Sequence, residues 1–403
     1  MRQGQLYAVV DLETTGTDYA SGDRIIQFGC ALVKNGKIVD TIAQNINPHQ
    51  ALLPAIRNLT GIRDKELASA PDFQEIGPTL HGLLDGAVFV AHNVNFDLPF
   101  INAEFAGLDL PPIGEKALDT VQLAQILLPF APSYKLSDLT KLLSIEHDDP
   151  HQADSDAIAT AHLFLLLDER LRALPAVTRQ RLAAMGQGLL RQTGDYLALM
   201  AKAGDTAAHA AGYTITNGLA LRREQEAAPA APTHVAYPSG KAAMTQLLKP
   251  RFTVRARQVK MMDAVYRHAQ HGQTPLLIEA ATGSGKSLGY LLPLLIHQQD
   301  SQQQIIVTTS TLALQDQLAQ QTLPAIAAIM HTQLRVEIVK SDTHYIDLGQ
   351  YYGLLDRRDL NTGEQLLMMK IPVWLTQTTP GHLQELQLTP YRSPLLPALV
   401  SRP

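Results

Sequence analysis

Five residues in the first 160 have the types and spacing to do chemistry together. Asp11 and Glu13 close the apolar run "LYAVVDLE" (6–13). On a strand, residues i and i+2 share a face, so both carboxylates aim at one spot. Two like charges that close are costly unless something neutralises them. "AHNVNFDLPFI" (91–101) sets Asp97 just past a second strand-like run, and "HQADSDAIATAH" (151–162) sets His151 and Asp156 around the start of a helix pattern. Four carboxylates from three separated segments, each at an element terminus, suit two hard divalent cations held by oxygen. Such a pair can bind both the attacking and the leaving oxygen of a phosphodiester displaced in line. A histidine beside them can take a proton from water near neutral pH. Taken singly, Asp97 reads first as a helix cap and His151 as a surface histidine. Asp119, ahead of "TVQLAQILL", reads as a helix N-cap without chemistry.

A second stretch, "AATGSGKS" (280–287), has the chemistry of a phosphate cradle. The turn Ala280, Ala281, Thr282, Gly283, Ser284, Gly285 would expose backbone N–H groups at a helix N-terminus. Lys286 would reach the β- and γ-phosphates of ATP, and Ser287 would hold its Mg²⁺. Ala280 stands where the commoner pattern has glycine.

Positioning these groups requires a mixed α/β fold. "LYAVVDL" (6–12) and "AVFVAHN" (87–93) read as strands, and residues 24–48 as two strands joined by Asn35-Gly36, the strongest short hairpin signal. Apolar spacing predicts helices in 97–106, 120–128, 136–143 and 153–169. A hairpin-joined trio followed by β-α-β units implies a mixed sheet with helices on its faces. Residues 171–220 read as helical and weakly amphipathic, and the Ala/Pro-rich stretch 224–241 as a flexible linker. A second α/β pattern starts near 250: 275–287 reads as a strand running into the Gly-rich turn, and 303–318 as a strand followed by a helix. The expected domains are 1–170, a helical segment and linker over 171–249, and a partial P-loop domain over 250–403.

Composition bounds the rest. With 403 residues, 45% hydrophobic and 18% charged, the chain can bury two or three ordinary cores. Its longest apolar runs are too short to span a bilayer, which excludes a membrane partner, and the N-terminus does not read as a signal peptide. The single cysteine, Cys30, excludes an internal disulfide and a Cys-rich metal cage, and fits a reducing cytoplasm. Residues 1–170 hold 11 Lys and Arg against 23 Asp and Glu, whereas 171–260 hold 13 against 4. An acidic front half binds polyanions poorly unless cations occupy its carboxylates. The basic middle has the charge to follow a phosphate backbone, or equally to form solvated helix faces.

"DLETTG" (11–16), "HNVNFD" (92–97) and His151 followed five residues later by Asp156 resemble the three motifs of DEDDh exonucleases, the family of DnaQ-type proofreading nucleases; "LTGI" (59–62) and "AP" (70–71) recur there too. The resemblance covers about 1–170. It implies a ribonuclease H-like fold, two Mg²⁺ or Mn²⁺ held by Asp11, Glu13, Asp97 and Asp156, and His151 as general base. It also implies release of nucleoside monophosphates from a 3′ end. Thr14, Thr15 and Gly16 would lie beside the terminal nucleotide, with turn stabilisation as the competing role for the threonines. Asp154 is expected to face solvent or to support the site from behind, and Phe96 to be core.

Ala-x-x-Gly-x-Gly-Lys-Ser is the form usual in superfamily 2 helicases. "RARQVKMM" (255–262) resembles their adenine-recognition element, with Gln258 as reader or else a helix-surface glutamine. Residues 307–318 resemble their DNA-contacting motif Ia. Residues 336–348 align with a stretch of XPD-like helicases, but Ser341 and Asp347 replace its Gly and Cys, so no iron–sulfur cluster is expected. The whole arrangement resembles DinG-type exonuclease/helicase proteins of Gram-positive bacteria, ending inside a partial RecA-like domain without Walker B. The favoured expectation is a 3′→5′ exonuclease acting on single-stranded nucleic acid, DNA in particular, with an ATP-binding appendage. An ATP-driven helicase with a resident nuclease and a non-catalytic nucleic-acid-binding fragment are the alternatives. Oligomeric state is not legible.

Overall fold

A computed structural model of the chain describes residues 1–114, 116–202, 212–224, 234–238, 240–249, 251–301, 303–357, 359–386 and 395–400. Two compact units emerge: Met1–Gln225 together with Ser341–Pro403, and Glu226–Lys340. This division differs from the expected boundaries, because residues 341–403 cluster with the first unit rather than with the phosphate-binding turn.

The first unit is built on strands β1 (Leu6–Thr14), β2 (Ile25–Lys34), β3 (Lys37–Asn45), β4 (Val88–Ala91) and β5 (Ala117–Asp119), in the order β3-β2-β1-β4-β5. Asn35 and Gly36 take positive φ of 50° and 78° and join β2 to β3, as the right-handed twist of a tight hairpin requires. β1 pairs antiparallel with β2 and parallel with β4, and β4 parallel with β5. The result is the expected ribonuclease H-like mixed sheet. Alternation along β1 sends Tyr7 and Val9 to one core, Ala8, Val10 and Leu12 to the other.

The helices Phe73–Leu84 and Val94–Ala106 cover the second face. The helices Thr120–Leu127, Leu136–Leu143, Ala153–Ala173 and Thr193–Lys202 cover the first, together with Leu366, Met369 and Val373 of the helix Thr362–Trp374. The side chains of Leu163 and Phe164 are fully buried there, each contributing on the order of 1.5–3 kcal/mol. All four helices expected before residue 170 are present. In 171–220 the expected all-helical pattern gives way at β6 (Tyr213–Thr216) and β7 (Leu219–Arg222), a hairpin turned by Asn217 and Gly218, again with positive φ. Most of the expected linker lies outside the described residues.

In the second unit the helices Ala256–His271, Lys286–Ser301 and Leu323–Ile329 share a core around Met262, Leu292 and Ile326. The strands expected at 275–279 and 303–309 do not form: both segments run extended with no ladder partner, and Leu277 and Ile306 are 93% and 85% exposed. A parallel strand is stable only between hydrogen-bonded neighbours under covered faces, and no described residue of this unit supplies them. No helix among the described residues is long and apolar enough to cross a membrane.

Candidate active site and nucleotide loop

Asp11 and Glu13 lie at the C-terminal end of β1, opposite Gly29 and Gln27 of β2. The neighbouring β2 carries the site's other support. The Gln27 carboxamide oxygen accepts the Ala153 N–H at 2.7 Å, and its amide donates to Gln152 at 3.1 Å, so β2 caps the helix Ala153–Ala173. Gly29 lets that helix end lie on the strand: a Cβ there would fall 1.9 Å from the Ala153 carbonyl oxygen. Asp156 is thereby fixed in the helix's first turn, beneath Glu13.

Asp97 occupies the first turn of the helix Val94–Ala106, and its Oδ1 accepts the Leu12 N–H at 3.2 Å, which ties it to β1 between the two acidic residues. Donor atoms of Glu13, His151 and Asp156 all lie within 4.8 Å of one another, with the His151 ring exposed at the rim. Sequence and structure therefore bring together all five expected residues. Burial first, and then the charges of Asp97, Asp156 and Glu13, hold the Asp11 carboxyl far above the usual carboxylate range. Burial likewise lifts Glu13 to about 8, helped by Asp156 and Asp97. Asp97 is lifted to about 8 by burial, against the N–H groups it accepts. The charges acting on Asp11 are all of one sign, which is the environment a divalent cation completes.

The surrounding motif residues take structural roles. Thr15 Oγ1 accepts the Arg24 N–H at 3.0 Å and Thr14 Oγ1 donates to the Gly16 carbonyl at 2.5 Å, so the threonines brace the turn. Phe96 packs against Phe100 with the second-face core. Asp119 caps its helix by accepting the Gln122 N–H at 2.8 Å, and its other oxygen accepts the Val94 N–H, which anchors the helix carrying Asp97. Asp154 is half-buried at the helix start.

Two histidines escaped the sequence reading. His92, half-buried between Thr120 and the Tyr134 carbonyl, is driven toward its neutral form by desolvation. His147 Nε2 lies 2.5 Å from Asp156 Oδ1.

In the second unit Gly283 and Gly285 take φ of 75° and 81°, folding the loop over the N-terminus of the helix Lys286–Ser301. The Lys286 ammonium donates to the Ala280 and Ala281 carbonyls at 2.8 and 3.1 Å. Ser284 Oγ is buried and has no partner; Thr282 is exposed and Ser287 half-buried. Gln258 is a buried strut whose amide donates to the Gly285 carbonyl at 3.2 Å, beside Arg255 donating to the Gly283 carbonyl at 2.8 Å. Asp347, in the first unit, caps the helix Leu348–Leu354 through the Gln350 N–H.

The first unit is a mixed α/β domain with an acidic cluster, and the second carries a Gly-rich loop ahead of a helix. Residues 8–164 match the family model described as Exonuclease, and residues 255–360 the model of DEAD/DEAH box helicases. The chain is 32% identical over 397 residues to the 3′-5′ exonuclease DinG of Bacillus subtilis (strain 168), covering 95% of this chain and 42% of that protein. The protein of the same name from Staphylococcus saprophyticus is 32% identical over 385 residues with the same coverage. The chain thus spans 42% of the length of these relatives. Among solved structures, the nuclease domain of 3′hExo, a DEDDh family member bound to rAMP, aligns with 42% of this chain and 94% of its own at 18% identity, with a TM-score of 0.38.

Proposed function

We propose that residues 1–170 form a metal-dependent 3′→5′ exonuclease that hydrolyses phosphodiester bonds of single-stranded DNA in the cytoplasm. The observation that carries this reading is the convergence of Asp11, Glu13, Asp97 and Asp156 from three segments on one spot beside His151, with mutually repelling charges and raised proton affinities. Two Mg²⁺ or Mn²⁺ bound by these carboxylates would supply the positive charge that aligns the attacking and leaving oxygens. His151 at the rim has the exposure and chemistry to accept a proton from water. The buried N–H of Leu12 and the cap from Asp119 keep Asp97 from turning away. The naming of the relatives as 3′-5′ exonucleases supports the polarity.

The segment from about 250 is proposed to bind ATP with Mg²⁺ at Ala280–Ser287. Gln258 donates one amide N–H to the Gly285 carbonyl and keeps its second N–H and its oxygen with which to read adenine.

The test is degradation of 3′- and 5′-labelled single strands of DNA and RNA in Mg²⁺, in Mn²⁺ and in EDTA. Shortening from the 3′ end that stops in EDTA is expected. Asp97→Asn, which keeps shape but removes a ligand charge, should lower the rate by orders of magnitude and leave the fold intact, and His151→Ala should lower it by ~10²–10⁴-fold. Wild-type degradation by Asp97→Asn would show the site is assigned wrongly.

A further inference from the structure

We propose that His147 is a positioning residue for Asp156, held by Thr140 so that its ring donates to Asp156 Oδ1 and leaves Oδ2 free for a divalent cation. The inference rests on the metal-dependent reading above. His147 lies on the connection between the helices Leu136–Leu143 and Ala153–Ala173, yet its side chain is only 6% exposed. Nε2 meets Asp156 Oδ1 at 2.5 Å, and Nδ1 faces the Thr140 hydroxyl at 3.3 Å. Thr140 is itself buried. Thr140 Oγ1 also donates to the Ser137 carbonyl at 3.2 Å, so the hydroxyl is itself held in place beside Nδ1. Among the described residues the other carboxylate oxygen, Oδ2, has only a long 3.4 Å contact with the His151 N–H. Asp156 is thus fixed at one oxygen and open at the other, and a carboxylate oxygen of Asp156 lies within 4.8 Å of donor atoms of Glu13 and His151.

Partners that orient a ligating carboxylate typically change metal affinity or activity by ~10–100-fold when removed. The experiment titrates Mn²⁺ into the full chain by calorimetry and compares wild type, His147→Ala, His147→Gln, Thr140→Val and Asp97→Asn, with melting of each in EDTA. His147→Ala should bind Mn²⁺ ~10–100-fold more weakly. His147→Gln, which can still present an N–H near the Nε2 position, should recover part of the loss, and Thr140→Val should fall between. Melting in EDTA should change far less than affinity. If His147→Ala does not fold, Thr140→Val and His147→Gln carry the comparison. Wild-type Mn²⁺ affinity in the His147 and Thr140 variants, with affinity lost in Asp97→Asn, overturns the inference and spares the metal site. A collapse of melting in EDTA that His147→Gln does not relieve assigns His147 to the fold and also overturns it. Wild-type affinity in Asp97→Asn removes the metal-site reading itself.

Discussion

At the scale of single residues, the acidic cluster stores a pH dependence whose sign is fixed. Asp11, Glu13 and Asp97 hold protons more tightly in the folded chain than a free carboxyl does, the latter two up to about 8. Below about pH 4 these groups are protonated in both states. As pH rises from there toward 8 the unfolded chain ionises first, so the stability they contribute is lost across that window. Asp168 has the opposite sign. Burial acts to raise it, yet the Met1 ammonium, Tyr196 and Arg172 together hold it below the usual range, so its contribution is lost only under acid. In EDTA the melting temperature should fall between pH 5 and 8, and Asp97→Asn should flatten the fall. Mn²⁺ should raise it more at pH 8 than at pH 5. Parallel pH curves for wild type and Asp97→Asn would refute the linkage. The clustering of the carboxylates was legible in the sequence because their spacing at strand and helix ends is itself the signal. His147 was not, nor was the contact of Gln258 with the Gly285 carbonyl, since a buried contact to a carboxylate or a loop carbonyl leaves no periodic trace.

At the scale of elements, the site depends on how closely one helix end approaches one strand. Gly29 adopts an ordinary strand conformation, so its role is space: a Cβ would meet the Ala153 carbonyl carbon at 2.1 Å as well as its oxygen. Backbone cannot swing aside as a side chain can. Gly29→Ala should therefore push out the helix end that carries Asp156, destabilising the first unit by about 1–3 kcal/mol. Misplacement of one ligand by about 1 Å should lower the exonuclease rate by ~10²-fold. Circular dichroism, denaturant unfolding and the labelled-strand assay measure the three effects. A Gly29→Ala chain with wild-type rate and stability would mean the helix end is not held where the structure places it. Element types were readable wherever local chemistry decides them, as at Asn35-Gly36 and in the four helices read from apolar spacing. The hairpin at 213–222 carried the same signal in Asn217-Gly218 but sat in an Ala-rich stretch that reads as helix. Residues 275–279 and 303–309 have strand composition, yet a strand exists only through its neighbours, which no local pattern supplies.

At the scale of the whole molecule, the two units differ in completeness. The first closes its sheet under helices on both faces, and residues 341–403 add to that core. The second has a helical core, but its extended segments leave Leu277, Ile306 and Val339 at 93%, 85% and 77% exposed. A phosphate loop needs only its own backbone, Lys286 and Ser287 to hold nucleotide, and the positive φ of Gly283 and Gly285 already sets that backbone. Hydrolysis needs more: an acid on a strand beside the loop to place Mg²⁺ and water, and cations closing over the γ-phosphate. These 403 residues hold no Asp-Glu-x-His element after the loop, and the segments at 303–309 and 335–340 do not pair with it. Binding must also release the Lys286 ammonium from the Ala280 and Ala281 carbonyls, which weakens affinity. Calorimetry should therefore detect weak ATP and ADP binding that disappears in Lys286→Ala, while phosphate release stays at background with or without DNA. Gln258→Ala should weaken ATP binding more than GTP binding, since the amide's remaining N–H and oxygen are those that would read adenine. Turnover of ATP by this chain, stimulated by DNA and abolished by Lys286→Ala, would show that the second unit assembles a hydrolytic site from residues other than those now beside the loop.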